Sequence, residues 1–282
     1  MTGAQARAGV PVSPPARPGG PAVPTLAARA RDVLAFEWTK LRSVRSNGVT
    51  LLAASVVTIG STAIVARAIG SAPTLPPGGL VTPLTASFLG YAEYGVIPVS
   101  ILAVLAFTSE YSSGLIRTTL TAVPQRLAVL AAKAAVAGGT ALVAGEVLAF
   151  VSFLLAQAMM AGRHRGLSLA APGVPRAVLA AGLLLAVCAL IGLGLGAITR
   201  HTAGAIAATI AVIYLLAVAC LVMPRPWDTR IGRFTLPFAA YQLVTQHPQA
   251  SLLSPGLSLL VLLAWPAAVL TVAGLLLTRR DA

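Results

Sequence analysis

The chain has 282 residues, of which 57% are apolar and only 10% charged, where a soluble domain carries about 25% charged. That composition excludes a soluble globular fold and predicts an all-α integral membrane protein. The net charge of +13 does not point to nucleic acid, because the basic residues gather at the ends of apolar segments, the pattern of membrane topology and headgroup anchoring.

Residues 1–24 are rich in Pro, Gly and Ala, include Arg7 and Arg17, and contain no acid and no apolar core of a signal peptide. They are expected to form a disordered cytoplasmic tail that cannot bury a core. From residue 25 the pattern changes. Leu26, Ala30, Val33, Leu34, Trp38, Leu41 and Val44 share one arc of a helix, while Arg29, Arg31, Asp32, Thr39, Lys40, Arg42 and Ser43 lie mostly on the other. This reads as an amphipathic helix lying in the lipid interface, with Trp38 at headgroup level. Glu37 is the exception, an acid within the apolar arc. It either meets a basic partner and faces protein, or reaches water through a tilted helix.

Six apolar segments come next, each near the roughly 20 residues that a crossing needs: about 48–69, 86–108, 127–161, 177–199, 203–223 and 256–278. The third is long for one bilayer and is expected to tilt, to kink near Gly138 and Gly139, or to project out of the membrane. Residues 224–255, before the sixth segment, are less apolar and either dip into the outer leaflet as short re-entrant helices or lie on it. With the N-terminus inside, thirteen Lys and Arg fall on the cytoplasmic side and seven on the other, and seven of the thirteen precede the first span. The expected topology is therefore multi-pass in the plasma membrane with both termini cytoplasmic.

Between the second and third spans runs a polar interruption, 110–133, EYSSGLIRTTLTAVPQRLAVLAAK. The hydroxyl-rich 108–113 closing on Gly114 reads as a turn, and Pro124 terminates the segment that starts there. Between Gly114 and Pro124, Ile116, Thr119, Leu120 and Val123 fall on one side of a short helix, Arg117, Thr118 and Thr121 on the other. On the expected topology this two-turn amphipathic helix is cytoplasmic and offers its polar face to a partner.

The chemistry-bearing motifs are few. The two lysines, Lys40 and Lys133, do not follow Gly, so there is no GxxxxGK[ST] phosphate loop, and no HExxH, CxxC or GxSxG occurs. Cys188 and Cys220 lie in apolar runs as small hydrophobes, and His164, His201 and His247 are too scattered for a metal cluster. Gly192, Gly194 and Gly196 form GxGxG, but on a membrane helix rather than after a strand, where small residues permit close helix packing. Glu93 falls near the outer end of span 2, within reach of the headgroups. Glu146 is deeper, and marks either a polar path or a hydrogen bond between helices.

Two stretches resemble the permease subunit of type-2 ABC exporters, in the group common in actinobacteria. Residues 36–43, FEWTKLRS, resemble that group's N-terminal "E-x-x-K-L-R-S" elbow helix, with Glu37, Trp38, Lys40 and Arg42 at its polar and anchoring positions. Residues 110–133 resemble its "E-[YF]-x-x-G-x-[IL]-R-x-T-L…P-x-R…K" loop, the more specific of the two. The resemblance implies a six-span transmembrane domain over 25–282 with a cytoplasmic coupling helix after span 2. It implies as partners a separate cytoplasmic ABC ATPase, a second permease copy or paralogue, and membrane lipid, with no nucleic acid. Glu110 and Arg117 would then be polar contacts to the ATPase, and Ile116, Leu120 and Val123 the apolar face. The chain would bind no cofactor and carry out no hydrolysis, with ATP acting through the partner. Glu93 and Glu146 match no motif of the family; an ion-coupled transporter using Glu146, or a non-transporting scaffold, are the competing readings.

Overall fold

The structure is a computed structural model, and it describes residues 26–72, 81–115, 125–163 and 166–279. These form nine helices and no strand among the described residues: α1 (Leu26–Ser43), α2 (Arg45–Ser71), α3 (Pro83–Ser112), α4 (Arg126–Met160), α5 (Val174–Thr199), α6 (Thr202–Leu221), α7 (Trp227–Gly232), α8 (Leu236–Val244) and α9 (Pro255–Arg279). Six of them, α2 to α6 and α9, are long and apolar enough to cross a membrane, so the chain is an all-α, multi-pass membrane protein. The N-terminal tail lies outside the described residues.

α5 is the axis of the bundle. Of its apolar window 78% is buried inside the protein, against 22% for α2 and α9, which face outward. Its glycines explain how neighbours approach so closely. A Cβ on Gly192 would come within 2.6 Å of the Ser100 carbonyl oxygen of α3, and one on Gly194 within 2.7 Å of Val269 Cγ1 of α9. Gly196 sits against Val104 of α3 in the same way, so the GxGxG run packs helices, as expected. Apolar spans gain little from leaving lipid for one another, so this close backbone approach supplies the van der Waals contact that holds them together.

The boundaries of α3 differ most from expectation. At its start Thr82 and Thr85 form a reciprocal capping box with Pro83 in the first turn, which begins the helix in front of the apolar run. At its end the hydroxyl-rich stretch does not break the helix. Ser112 and Ser113 hydroxyls bond back to the Ser109 carbonyl, and the helix stops only before Gly114, at φ +72°. Glu110 and Tyr111 are therefore helical residues of the span, not residues of a loop.

α4 runs as one unbroken helix through Gly138 and Gly139. Its 35 residues extend about 52 Å at 1.5 Å per residue, some 20 Å more than the hydrocarbon layer needs. The first two turns carry the basic residues Arg126 and Lys133. There Arg126 donates to the Leu277 carbonyl near the end of α9, which brings the start of α4 and the end of α9 to one membrane side. The turn at Arg200 and His201 is as tight as the sequence implies: Arg200 takes φ 56°, and His201 Nδ1 caps α6 by accepting from the Gly204 amide. Within residues 224–255 the two halves differ: α7 and its flanks are exposed, whereas α8 does not lie on the surface. α8 is seated in the bundle with Leu236, Ala239, Ala240, Leu243 and Val244 buried. Arg176 of α5 donates to the Leu243 and Thr245 carbonyls at its C-terminal end, and buried Gln242 donates to the Gln249 and Leu253 carbonyls.

Candidate functional site

The most concentrated polar chemistry lies where α1, the last turn of α3 and the first turns of α4 converge. Spacing of three on α1 puts Glu37 and Lys40 on the same face. Glu110 stands in the last turn of α3, and Lys133 two turns into α4. Lys133 Nζ donates to Glu37 Oε2 at 2.8 Å and also to Glu110 Oε1, and Lys40 Nζ donates to that same Glu110 oxygen. Glu37, Glu110 and Lys133 are buried, whereas the Lys40 side chain keeps 28% of its surface exposed and is the cluster's edge toward water. Two acids and two ammonium groups make the cluster neutral, which is what lets charges sit out of water.

The cluster is still short of donors. Among the described residues, the buried atoms Glu37 Oε1 and Glu110 Oε2 have no hydrogen-bond partner, nor does the Tyr111 hydroxyl beside them. Around the cluster lie two cation–π contacts, Lys40 over Phe36 at 5.9 Å and Arg200 over Tyr111 at 5.1 Å. Arg200 belongs to the turn between α5 and α6, so four segments of the chain meet at this membrane end. The Thr202 hydroxyl, donating to Thr108 Oγ1 at 3.0 Å, adds a neutral link between α6 and α3 just below.

Several expectations change here. Glu110 is not an exposed grip for a partner; it is buried, and both of its bonds go to lysines of its own chain. Glu37 does not reach water. It is the centre of the buried line of α1, because the protein surface it faces carries Lys133, while Leu34, Trp38 and Val44 of the expected apolar arc are exposed. Trp38 is exposed, on the rim of a groove between α1, α2 and α4. Arg42 is exposed and takes no part in the cluster. Ile116, Arg117, Leu120 and Val123 lie outside the described residues.

The remaining acids sit elsewhere. Glu93 is not at a helix end: its neighbours Gly90 and Gly95 back onto Ser61, Thr62 and Thr58, the middle of α2, so Glu93 is at mid-depth. Residues 91–95 are a π-helical bulge, which frees carbonyls from the helical ladder, and Tyr214 Oη donates to the Ala92 and Glu93 carbonyls at 2.9 Å each. Tyr214 belongs to a second bulge, 211–215, halfway along α6. Glu146 is half-buried with its carboxyl against Gly182 of α5, where a Cβ would overlap it. No described residue hydrogen-bonds or ion-pairs with the Glu146 carboxyl, so the expected inter-helix bond is not there. At the same level the Tyr91 hydroxyl reaches α4, donating to the Gly145 carbonyl at 3.2 Å.

No family model matches this chain, and no curated protein matches it either. The site must therefore be read from its own residues. The role of Lys133 as hub was not foreseen from the sequence, although a signal was present. The chain has twenty basic residues, and its two lysines are the two cations of this cluster. A compact ammonium with three donors fits between carboxylates converging from different helices, where the planar fork of Arg does not. Among the described residues no group of three or more His, Cys, Asp or Glu converges as metal ligands would.

Proposed function

We propose that the chain is the membrane-spanning permease subunit of an ATP-driven exporter of the type-2 ABC class. In this reading it sits in the plasma membrane with both termini cytoplasmic, pairs with a second permease, and is driven by a separate cytoplasmic ATPase. The observation that carries the reading is the ion cluster. The two stretches that resemble the family, the elbow's Glu37 and Lys40 and the loop's Glu110 and Lys133, are bound to one another across 70 and 96 residues of sequence. A displacement of the segment between α3 and α4 would pass through Glu110 and Lys133 to the interfacial helix and to both spans together. In this role Glu110 and Lys133 transmit force within the subunit, and contact with the ATPase falls to Arg117 and its neighbours.

The test is affinity purification of the full chain from its native membranes, with identification of any P-loop ATPase that accompanies it. The reading expects such an ATPase, and expects Arg117→Glu to reduce its recovery at least fivefold while membrane insertion is unchanged. Recovery without an ATPase, or with an ATPase indifferent to Arg117→Glu, would count against it. The unpaired Glu146 carboxyl at mid-depth favours a second reading, an ion-coupled transporter. That reading expects transport to survive ATP depletion and to be lost in Glu146→Gln.

A further inference from the structure

A cavity of about 220 Å³ lies between α3, α5, α6 and α8, running from the first turn of α3 to the level of Glu93 and Val96. Its walls include Phe88, Leu184, Ile213, Phe238 and Val244. The polar groups in those walls are largely used: the Thr85 hydroxyl in the capping box, the Tyr91 hydroxyl on the Gly145 carbonyl, the Tyr214 hydroxyl on the two carbonyls freed by the bulge. Glu93 is the charged residue of the lining, and no described residue hydrogen-bonds or ion-pairs with its carboxylate. It is exposed, so it stands at the mouth rather than in the floor. Two residues on from the buried Tyr91, Glu93 falls on the opposite face of the helix, and Tyr214 pins this π-helical stretch from the facing helix.

An unpaired carboxylate at the depth of an apolar span is costly unless something neutralises it. The described residues offer no counter-charge. The Lys and Arg of the six apolar spans are Arg45, Arg67, Arg126, Lys133, Arg176 and Arg279; the one furthest from a helix end is Lys133, seven residues in from Arg126, and it is already bound to two acids. A second copy of this chain packed against Glu93 would bring no cation to mid-depth for the same reason. A cationic ligand would supply that counter-charge, and the adjoining apolar walls suit a ligand whose remaining body is apolar.

We propose that this cavity binds lipophilic cations, with Glu93 as counter-ion and the aromatic and aliphatic walls as the seat of the apolar body. That the occupant is cargo rests on the permease reading; that it binds does not, since the site lies wholly within this chain and needs no ATPase.

The test uses the purified full chain in nanodiscs of zwitterionic lipid, with empty nanodiscs as background. The probes are tetraphenylphosphonium and tetraphenylborate, alike in shape and opposite in charge. Saturable binding of the cation is expected, at least tenfold tighter than that of the anion. Glu93→Gln should weaken the cation at least tenfold while leaving thermal stability and oligomeric state unchanged. Leu184→Trp, which fills the cavity and keeps the acid, should weaken it as well. Equal affinity for the two ions, absence of saturable cation binding, or full cation affinity in a folded Glu93→Gln protein would each overturn the proposal. A Glu93→Gln protein that keeps cation affinity but changes its oligomeric state would give this acid to an interface between copies instead. Failure to recover an ATPase would remove the permease reading and leave this result standing.

Discussion

Four carboxylates of this chain lie within membrane helices or at their ends, and they divide into two pairs with opposite characters. Glu37 and Glu110 are the more deeply buried, yet they are held by Lys133 and Lys40 at one end of the bundle. Glu93 and Glu146 are less buried, sit at mid-depth, and have no described cation of this chain within reach. Burial alone would rank the first pair as the costly one. Pairing reverses that order, because a neutral cluster satisfies its own charges while an unpaired acid in apolar surroundings waits for a partner. The first pair is architecture that joins three helices, α1, α3 and α4, and the second is where the protein is open to something else.

The comparison breaks most readily at Lys133. Lys133→Met fills the same space and leaves two buried acids with Lys40 alone. Removing one partner of a buried ion pair costs about 3–5 kcal/mol, which should lower the thermal midpoint in detergent by on the order of 10 °C. A melting curve within 2–3 °C of the unsubstituted protein, on the scale of roughly 1 kcal/mol, would mean that the cluster does not hold the helices together.

A smaller effect sharpens the picture inside the cluster. Glu110 accepts from both lysines and Glu37 from one, so Glu110→Gln should destabilise by roughly 2–3 kcal/mol and Glu37→Gln by roughly half as much. Lys40→Ala, at the partly exposed edge, should cost under about 1 kcal/mol. The order of the three melting midpoints is the measurement, and Lys40→Ala as the largest loss would displace Lys133 as the hub.

The smallest effect is expected at the second pair. Glu146→Gln removes no bond seen in this structure and relieves a charge beside Gly182, so stability should change by less than about 0.5 kcal/mol or rise slightly. A loss as large as that of Glu110→Gln would show that Glu146 is structural after all, and would erase the contrast between the pairs.

Much of the architecture could be read from residue order, for simple reasons. A span needs a run of apolar residues of fixed length, so six such runs give six helices whatever they pack against. Small residues at near-helical spacing let a neighbour's backbone approach, so Gly192, Gly194 and Gly196 mark α5 as a packing surface before its neighbours are known. The amphipathic pattern of 25–45 likewise gave α1, but not the face it buries. That depended on Lys133, which is 96 residues from Glu37 in sequence.

The end of α3 shows the limit most clearly. Hydroxyls followed by Gly are a sound turn signal, yet the serines bonded back into the helix and carried Glu110 into the interior, where the lysines of two other helices meet it. The bulges at 91–95 and 211–215 have no counterpart in periodicity, since both interrupt continuous apolar runs. Across the two helices, Tyr214 of the second bulge bonds the Ala92 and Glu93 carbonyls of the first. Composition by itself determined that this chain crosses a membrane and roughly where. Which acids are paired and which stand open was decided only by tertiary structure, because a counter-charge is a property of the neighbouring helix and its register.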